Sequence, residues 1–434
     1  MTFMPLLMIS ACSGVNSGGE EPEALQGAEG PSIALRIGAM GTRTSGNNIS
    51  EKIKTLRIIM LSDGFIETIR FIDYEKAEGS TTGVSDADIF TQKFDHITVA
   101  GNKKFYLIAN EESVAELKFD EDIELPGWWE EGMSLKDLLG HYSKDILPSE
   151  GTLGTNGSGS GEELERLLSA AYFTPDYTVA NNTIYLPYTA MYDNIKATND
   201  MSVKITKNMY LLPVATKFTF NMINYRDEEV DIKGITIGRV NSGNFLMARL
   251  ADNEKTKKLD GIDYYWIEWL EKVVRDTHSA YDDGEKELGD YNASAGWIKD
   301  YYAPEASSLV NYVAKPGEGT WKVSKTTDKD DPEKLSVEFY CPESINTGSP
   351  SEDDPDIFEE GDDKIYFVRF EIQEKSANTS TVSEWMQLSA LPALFRCTHL
   401  IVDVDMYQSL VKIYCEMAPW DVWTFQGFVK EEED

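Results

Sequence analysis

The sequence is poor in the residues that build most catalytic and metal centres. It has four cysteines and four histidines in 434 residues. Cys12, Cys341, Cys397 and Cys415 are too few for a disulfide framework. Cys397 and Cys415 fall in candidate neighbouring strands, where they could pair or remain buried thiols. His96, His141, His278 and His399 are scattered, and none has metal-ligand spacing with another or with a cysteine. Positive charge is also scarce: 40 Lys and Arg against 75 Asp and Glu leave a net charge of -35. Phosphate binding by counterion release needs a basic face, so nucleic acid is excluded as a partner. Beyond the first dozen residues no apolar run approaches the roughly 20 needed to span a bilayer. The Gly-rich stretch 151–161 lacks the phosphate-cradling P-loop pattern, and no nucleophile elbow occurs. The acidic stretches 328–333 and 352–363 miss the EF-hand spacing for Ca2+ and read as solvated charge. In so acidic a chain any glycosidase-like carboxylate pair would be arbitrary. No enzyme activity, cofactor or metal is therefore expected.

The first dozen residues are the most informative. A short apolar run with Phe3, Leu6, Leu7, Met8 and Ile9 ends in Ser10-Ala11-Cys12, small residues just ahead of a cysteine. That is the form of a bacterial lipoprotein export signal, cut before Cys12, whose thiol is then acylated. Two or more acyl chains hold a protein at a membrane where one does not. No Lys or Arg precedes Arg36, so the basic opening of such a signal is missing and a start further upstream is expected. A frayed apolar terminus beside an ordinary cysteine is the alternative. Residues 13–30 are rich in Gly, Glu and Ser and form a flexible linker.

From residue 31 onward, short runs rich in Val, Ile, Phe and Tyr alternate with turn residues, the pattern of strands. Ile33, Leu35 and Ile37 alternate on one face of a first strand. Strands are expected at 53–61, 65–71, 96–99, 105–109, 179–187, 202–212 and 214–224. In the second half they are expected at 230–237, 335–340, 365–372, 399–404 and 410–417. Helices are expected at 134–141 and 162–171. A further one is expected at 262–273, where Ile262, Tyr265, Trp266, Trp269, Leu270 and Val273 follow helical spacing. Many short strands with few helices predict a mostly β chain of sandwich domains. A polar stretch at 194–201 suggests domains at 31–198 and 199–434. Trp128-Trp129, beside Pro126-Gly127, form either an exposed contact platform or a loop packed onto the sheet.

Several motifs then occur in order. Ile53–Met60 is followed by the turn Asp63-Gly64. Val99-Ala-Gly-Asn-Lys-Lys-Phe-Tyr-Leu-Ile-Ala-Asn-Glu111 follows, then Leu186-Pro-Tyr-Thr189. Next comes Leu211-Leu-Pro-Val-Ala-Thr-Lys-Phe-Thr-Phe-Asn-Met-Ile-Asn224, then Arg396-Cys-Thr-His-Leu400 and Pro419-Trp420. Together they resemble the fimbrillins of Bacteroidales, the subunits of lipoprotein-derived, protease-assembled pili. The likeness covers nearly all of the chain. Pro213 stands where that family usually has arginine, and 396–400 departs from its pattern at two positions.

The resemblance implies two transthyretin-like Greek-key β-sandwich domains and a mode of assembly. A precursor lipidated at Cys12 would reach the outer membrane. An arginine-specific protease would cut after Arg43, in the small polar loop Gly41-Thr42-Arg43-Thr44-Ser45-Gly46. Residues 31–43, with Ile33, Leu35 and Ile37 plugging a groove, would then be removable. The C-terminal strand of another subunit, with Trp423, Phe425 and Val429 on one face of 422–430, would fill the groove. Burying three such side chains stabilises by roughly 5 to 8 kcal/mol. The partners implied are other fimbrial subunits, the protease, the outer membrane through the precursor's anchor, and a host or bacterial surface receptor. Localisation would be the outer membrane and then the extracellular fimbrium, as a shaft, accessory or tip subunit. An uncut anchor subunit is one alternative. An outer-membrane lipoprotein binding glycans through Trp128 and Trp129 is another.

Overall fold

β-branched and aromatic side chains fit a half-buried pleated surface, and the runs that carry them fold as strands. The computed structural model describes residues 33–39, 53–62, 64–74, 90–94, 101–143, 160–175, 185–197, 203–247, 309–328, 331–345, 348–351, 358–360, 366–388, 393–394, 396, 398–408 and 410–419. The first half contributes β1 (Ile33–Ala39), β2 (Thr55–Ser62), β3 (Phe65–Asp73), β4 (Phe90–Phe94) and β5 (Gly101–Ala109). Helices α1 (Leu135–Tyr142) and α2 (Ser160–Ala170) follow, then β6 (Tyr172–Phe173), β7 (Tyr188–Ala197) and β8 (Val203–Pro213). The second half contributes β9 (Thr216–Asn224), β10 (Val230–Asn241), β11 (Asn244–Phe245), β12 (Leu309–Ala314), β13 (Trp321–Val323) and β14 (Lys334–Cys341). After these come β15 (Ser344–Ile345), β16 (Gly348–Pro350), β17 (Phe358–Glu360), β18 (Tyr366–Glu374) and β19 (Thr381–Val382). The last are β20 (Met386–Leu388), β21 (Ala393–Leu394), β22 (Thr398–Tyr407) and β23 (Leu410–Pro419).

Three sheets carry the fold. The first has seven strands in the order β3-β2-β5-β7-β8-β1-β4. The second runs β12-β10-β18-β19, with β13 on β10 and β20 on β18; the third runs β14-β9-β22-β23. β1 pairs parallel with β8 and β22 pairs parallel with β9, while the other ladders are antiparallel. The second and third sheets pack face to face as a sandwich. Phe218, Phe220 and Phe339 stack within the third sheet, and Phe220 meets Phe370 of the second edge to face at 5.8 Å.

β2 buries nearly its whole length because the first sheet is covered on both faces. Leu56, Ile58, Met60, Phe105 and Leu107 join the large core shared with the sandwich. Ile59, Leu61, Tyr106 and Ile108 face a second core with Leu138, Leu139, Leu164, Leu167 and Leu168 of the two helices. α1 starts where a capping box dictates: Asp137 N donates to Ser134 Oγ at 3.1 Å, and Ser134 N donates to Asp137 Oδ2 at 3.1 Å. α2 docks at the end of the Gly-rich stretch. Gly161 N donates to Gly64 O at 3.1 Å, and a Cβ on Gly161 would lie 2.6 Å from that oxygen. Gly64 turns the β2–β3 hairpin with φ +83°, a conformation that favours glycine.

The sequence motifs resolve into buried polar anchors. Asn110 is fully buried with φ 55°, accepts from Lys54 N at 2.8 Å and donates to Leu186 O at 2.7 Å. Its neighbour Glu111 takes Arg57 in a two-pronged buried pair. Lys103, fully buried, donates to Ser62 and Glu67. Lys217 is fully buried 3.3 Å from Glu338, and Asn224 donates to the carbonyls of Glu228 and Val323. Buried charges of this kind are tolerated only when paired.

The chain is mostly β with few short helices, as expected. Of the expected strand at 179–187, residues 179–184 lie outside the described residues, Tyr185, Leu186 and Pro187 lie outside strands, and β7 begins at Tyr188. Pro187 has no N–H to give a ladder, and its carbonyl accepts from Val214 N at 2.9 Å instead. β8, which follows the polar stretch near residue 198, pairs within the seven-stranded sheet; the chain enters the sandwich only after Pro213. The expected helix at 262–273 lies outside the described residues, as does Cys397. Its neighbour Thr398 pairs with Pro419, whereas Cys415 pairs with Val402. Among the described residues no helix is long and apolar enough to cross a membrane.

Two predictions follow from the buried polar groups. Asn110→Ala loses the long-range side-chain bonds to Lys54, Thr55 and Leu186 and keeps a strained backbone, and should destabilise by about 2 to 4 kcal/mol in chemical denaturation. Asn110→Gly should recover only the backbone share. Half-buried His399, with Nε2 2.7 Å from Thr219 Oγ1, is held at about 3 by desolvation and then by the Lys217 ammonium. A folded-state value below the unfolded one gives stability that is complete above about pH 6.5 and is lost as pH falls toward 3. Over that window wild type should lose up to about 1.4 kcal/mol per pH unit more than His399→Gln.

Candidate functional site

β1, the first strand among the described residues, occupies an internal place in the first sheet. β1 lies between β8 and β4, paired parallel with β8 from Ile33↔Val203 to Ala39↔Leu211 and antiparallel with β4 from Ile33↔Phe94 to Ile37↔Phe90. Ile33, Leu35 and Ile37 thus sit at alternate positions of a strand enclosed on both edges. A register shift falls between Ala34 and Arg36. Arg36, being inside this ladder, is poorly placed for proteolysis; Arg43 follows β1 by a few residues in the sequence. The β7–β8 ladder, by contrast, consists of Tyr188↔Pro213 and Thr189↔Leu212. β8 therefore owes most of its hydrogen bonding to β1.

Beneath the β7–β8 junction lies a buried polar clasp. The Arg396 guanidinium is 1% exposed. Its Nε and Nη2 donate to the two Glu343 oxygens at 2.8 and 2.6 Å. Nη2 also donates to Phe245 O at 2.8 Å, and Nη1 to Thr189 Oγ1 at 3.2 Å and Leu246 O at 3.3 Å. The backbone N–H of Arg396 donates to Glu343 Oε1 at 3.0 Å. Thr189 Oγ1 in turn donates to Leu246 O at 2.8 Å. Asn244 Nδ2 donates to Val214 O at 2.9 Å, and Asn244 Oδ1 accepts from Glu343 N at 2.7 Å. Three motifs separated in sequence, at 186–189, 211–224 and 396–400, meet here.

The predicted site residues divide sharply. Ile33, Leu35 and Ile37 are brought to the inserted strand, while Cys12, Arg43, Trp423, Phe425 and Val429 lie outside the described residues. Trp128 and Trp129 are half-buried against the helical core. Trp128 stacks on His141 with centroids 3.7 Å apart and meets Tyr142 at its edge, and Trp129 meets Phe119 at 5.0 Å. One face of the Trp128 ring is thus already covered. Sequence reading missed Thr189, Asn244 and Glu343 as a unit with Arg396. The available signal was a single acid and a single base, each beside apolar residues, in Cys341-Pro-Glu343 and Leu394-Phe-Arg396.

Solved structures similar to this chain include fimbrial proteins. The tip fimbrial protein Mfa3 of Porphyromonas gingivalis, with a C-terminal truncation, aligns over 90% of this chain and 100% of its own at 11% identity and TM-score 0.46. A fimbrilin (FimA) of the same species aligns over 90% of this chain and 98% of its own at 13% identity and TM-score 0.39. A fimbrial assembly protein of Parabacteroides distasonis aligns over 89% and 94% at 9% identity and TM-score 0.40. No protein-family model and no curated protein sequence matches the chain.

The Trp128 packing has a measurable cost. Trp128→Ala removes the His141 stack and the Tyr142 contact, and should lower stability by about 2 to 3 kcal/mol in thermal or denaturant unfolding. An unchanged midpoint would mean that the ring is held for contact with a ligand rather than for packing.

Proposed function

We propose that this chain is a structural subunit of a surface fimbria. It is exported as a lipoprotein precursor lipidated at Cys12, matured by cleavage after Arg43, and polymerised by strand exchange between subunits. The observation that carries this reading is the placement of β1. It is the first strand of the described chain, is inserted between two strands distant from it in sequence, and precedes Arg43. One cut after Arg43 turns it from a tethered strand into a separate peptide. Tethering gives a strand a high effective concentration at its site, and cutting abolishes it. Departure of the peptide bares β8 from Val203 to Leu211, an unpaired edge of the kind that accepts an added strand.

The added strand is 422–430 of another subunit, through Trp423, Phe425 and Val429. Large apolar side chains there would replace the plug, and main-chain hydrogen bonds would restore the ladder. The net charge of -35 suits a secreted subunit that must stay soluble before assembly. The partners are other fimbrial subunits, an arginine-specific protease, the outer membrane through the precursor's anchor, and a surface receptor.

The test is limited digestion of the folded precursor with an arginine-specific protease, read by intact mass spectrometry and electron microscopy. Cleavage after Arg43 followed by fibre formation is expected. Truncation after Pro419 should abolish the fibres and leave the cut unaffected. No cut between Gly38 and Ser50 would sink the maturation scheme and leave the uncut anchor subunit as the better reading.

A further inference from the structure

We infer that Arg396 is a positioning residue that keeps β8 attached to the molecule after β1 has left, so that an emptied groove does not unfold the subunit. This rests on the reading of β1 as a removable strand. Its ground is a weakness in the sheet. Without β1, the ladder partners left to β8 among the described residues are the two β7 residues at its C-terminal end, Tyr188↔Pro213 and Thr189↔Leu212. Two pairs are few to hold an eleven-residue strand, since an isolated two-stranded ribbon is marginal in water even when fully paired.

The clasp reinforces that end of β8 from both sides. On the β7 side, Arg396 Nη1 donates to the hydroxyl of Thr189, the residue opposite Leu212. On the β8 side, Arg396 holds the Glu343 carboxylate, and Glu343 N donates to Asn244 Oδ1. Asn244 Nδ2 then donates to the carbonyl of Val214, the residue after Pro213, and Val214 N donates to Pro187 O. The last residues of β8 and the first of β7 are thereby fastened to the sandwich and not only to each other. None of these bonds involves β1, so all of them survive its departure.

Burial explains why arginine is required. Tyr188, Thr189, Leu211 and Asn244 are 1% exposed or less, so a lost partner there cannot be replaced by water. The five guanidinium N–H groups find five acceptors in a fixed fork, and lysine offers three donors from one atom. The clasp is therefore tied to the one part of β8 that need not open.

The test compares amide hydrogen exchange of the full chain before and after β1 is removed. A site-specific protease sequence replaces Thr42-Arg43-Thr44, and the cut peptide is separated by size exclusion. In emptied wild type, peptides from 203–210 should lose protection, while those spanning 186–192 and 211–216 keep it. Intact Arg396→Met, with β1 still lacing β8, should stay protected across 203–210. Once emptied, its 186–192 and 211–216 peptides should exchange at least about 100-fold faster than in emptied wild type, as the loss of a buried paired charge implies. Thr189→Val severs the β7 link without stranding the Arg396–Glu343 pair. It should show the same differential, at least about tenfold, even if Arg396→Met fails to fold. Equal protection in emptied variant and emptied wild type would overturn the role of Arg396. So would a loss that is as large in the intact Thr189→Val protein as in the emptied one. If wild type keeps protection over 203–210 after the cut, the removable-strand reading fails, and this inference with it.

Discussion

The backbone of β8 needs hydrogen-bond partners along its length, and the rest of the first sheet depends on where it finds them. β7 supplies them at the C-terminal end alone, so the N-terminal strand of the chain supplies the remainder. That dependence makes β1 structurally important and also separable. Buried main-chain groups left without partners are costly, which favours either the return of β1 or its replacement by another strand. A sheet laced fully from β7 to β8 would have no such vacancy to offer.

Around this joint the protein places its charges with care. The chain carries a large excess of acid, yet among the described residues the buried charges have partners: Arg57 with Glu111, Lys103 with Glu67, Lys217 with half-buried Glu338 and Arg396 with Glu343. Paired burial contributes less to stability than an apolar replacement often would. It fixes geometry, because each pair accepts one arrangement. Arg57–Glu111 and Lys103–Glu67 lock the β2–β3–β5 half of the first sheet. Arg396–Glu343 ties that sheet to the sandwich. The parts that must stay rigid are thus cross-braced by charge, while β8 before Leu211 is held by a ladder alone.

Much of this was legible in sequence. The helix expected at 134–141 matches α1, Asp63-Gly64 marked the β2–β3 turn, and runs of Val, Ile and Phe marked β2, β5, β9, β10, β14, β18, β22 and β23. These are local signals that depend on side-chain branching, capping and turn geometry within a few residues. The motif 99–111 was also legible as a motif, although its buried polar roles were not. Nothing local distinguishes a lysine such as Lys103, fully buried, from Lys104 beside it. At the end of the strand expected at 179–187, apolar content said nothing about Pro187 turning its carbonyl toward Val214.

The sequence by itself determined a mostly β chain, a strongly acidic composition and an arginine, Arg43, a few residues past β1. Only the tertiary structure decided that this strand lies parallel to β8, between it and β4, and that Arg396 reaches Thr189 and Glu343 beneath the junction. The physical reason is range. Strand character depends on neighbours along the chain, whereas edge pairing and buried ion pairs depend on which surfaces meet after distant segments have closed on one another.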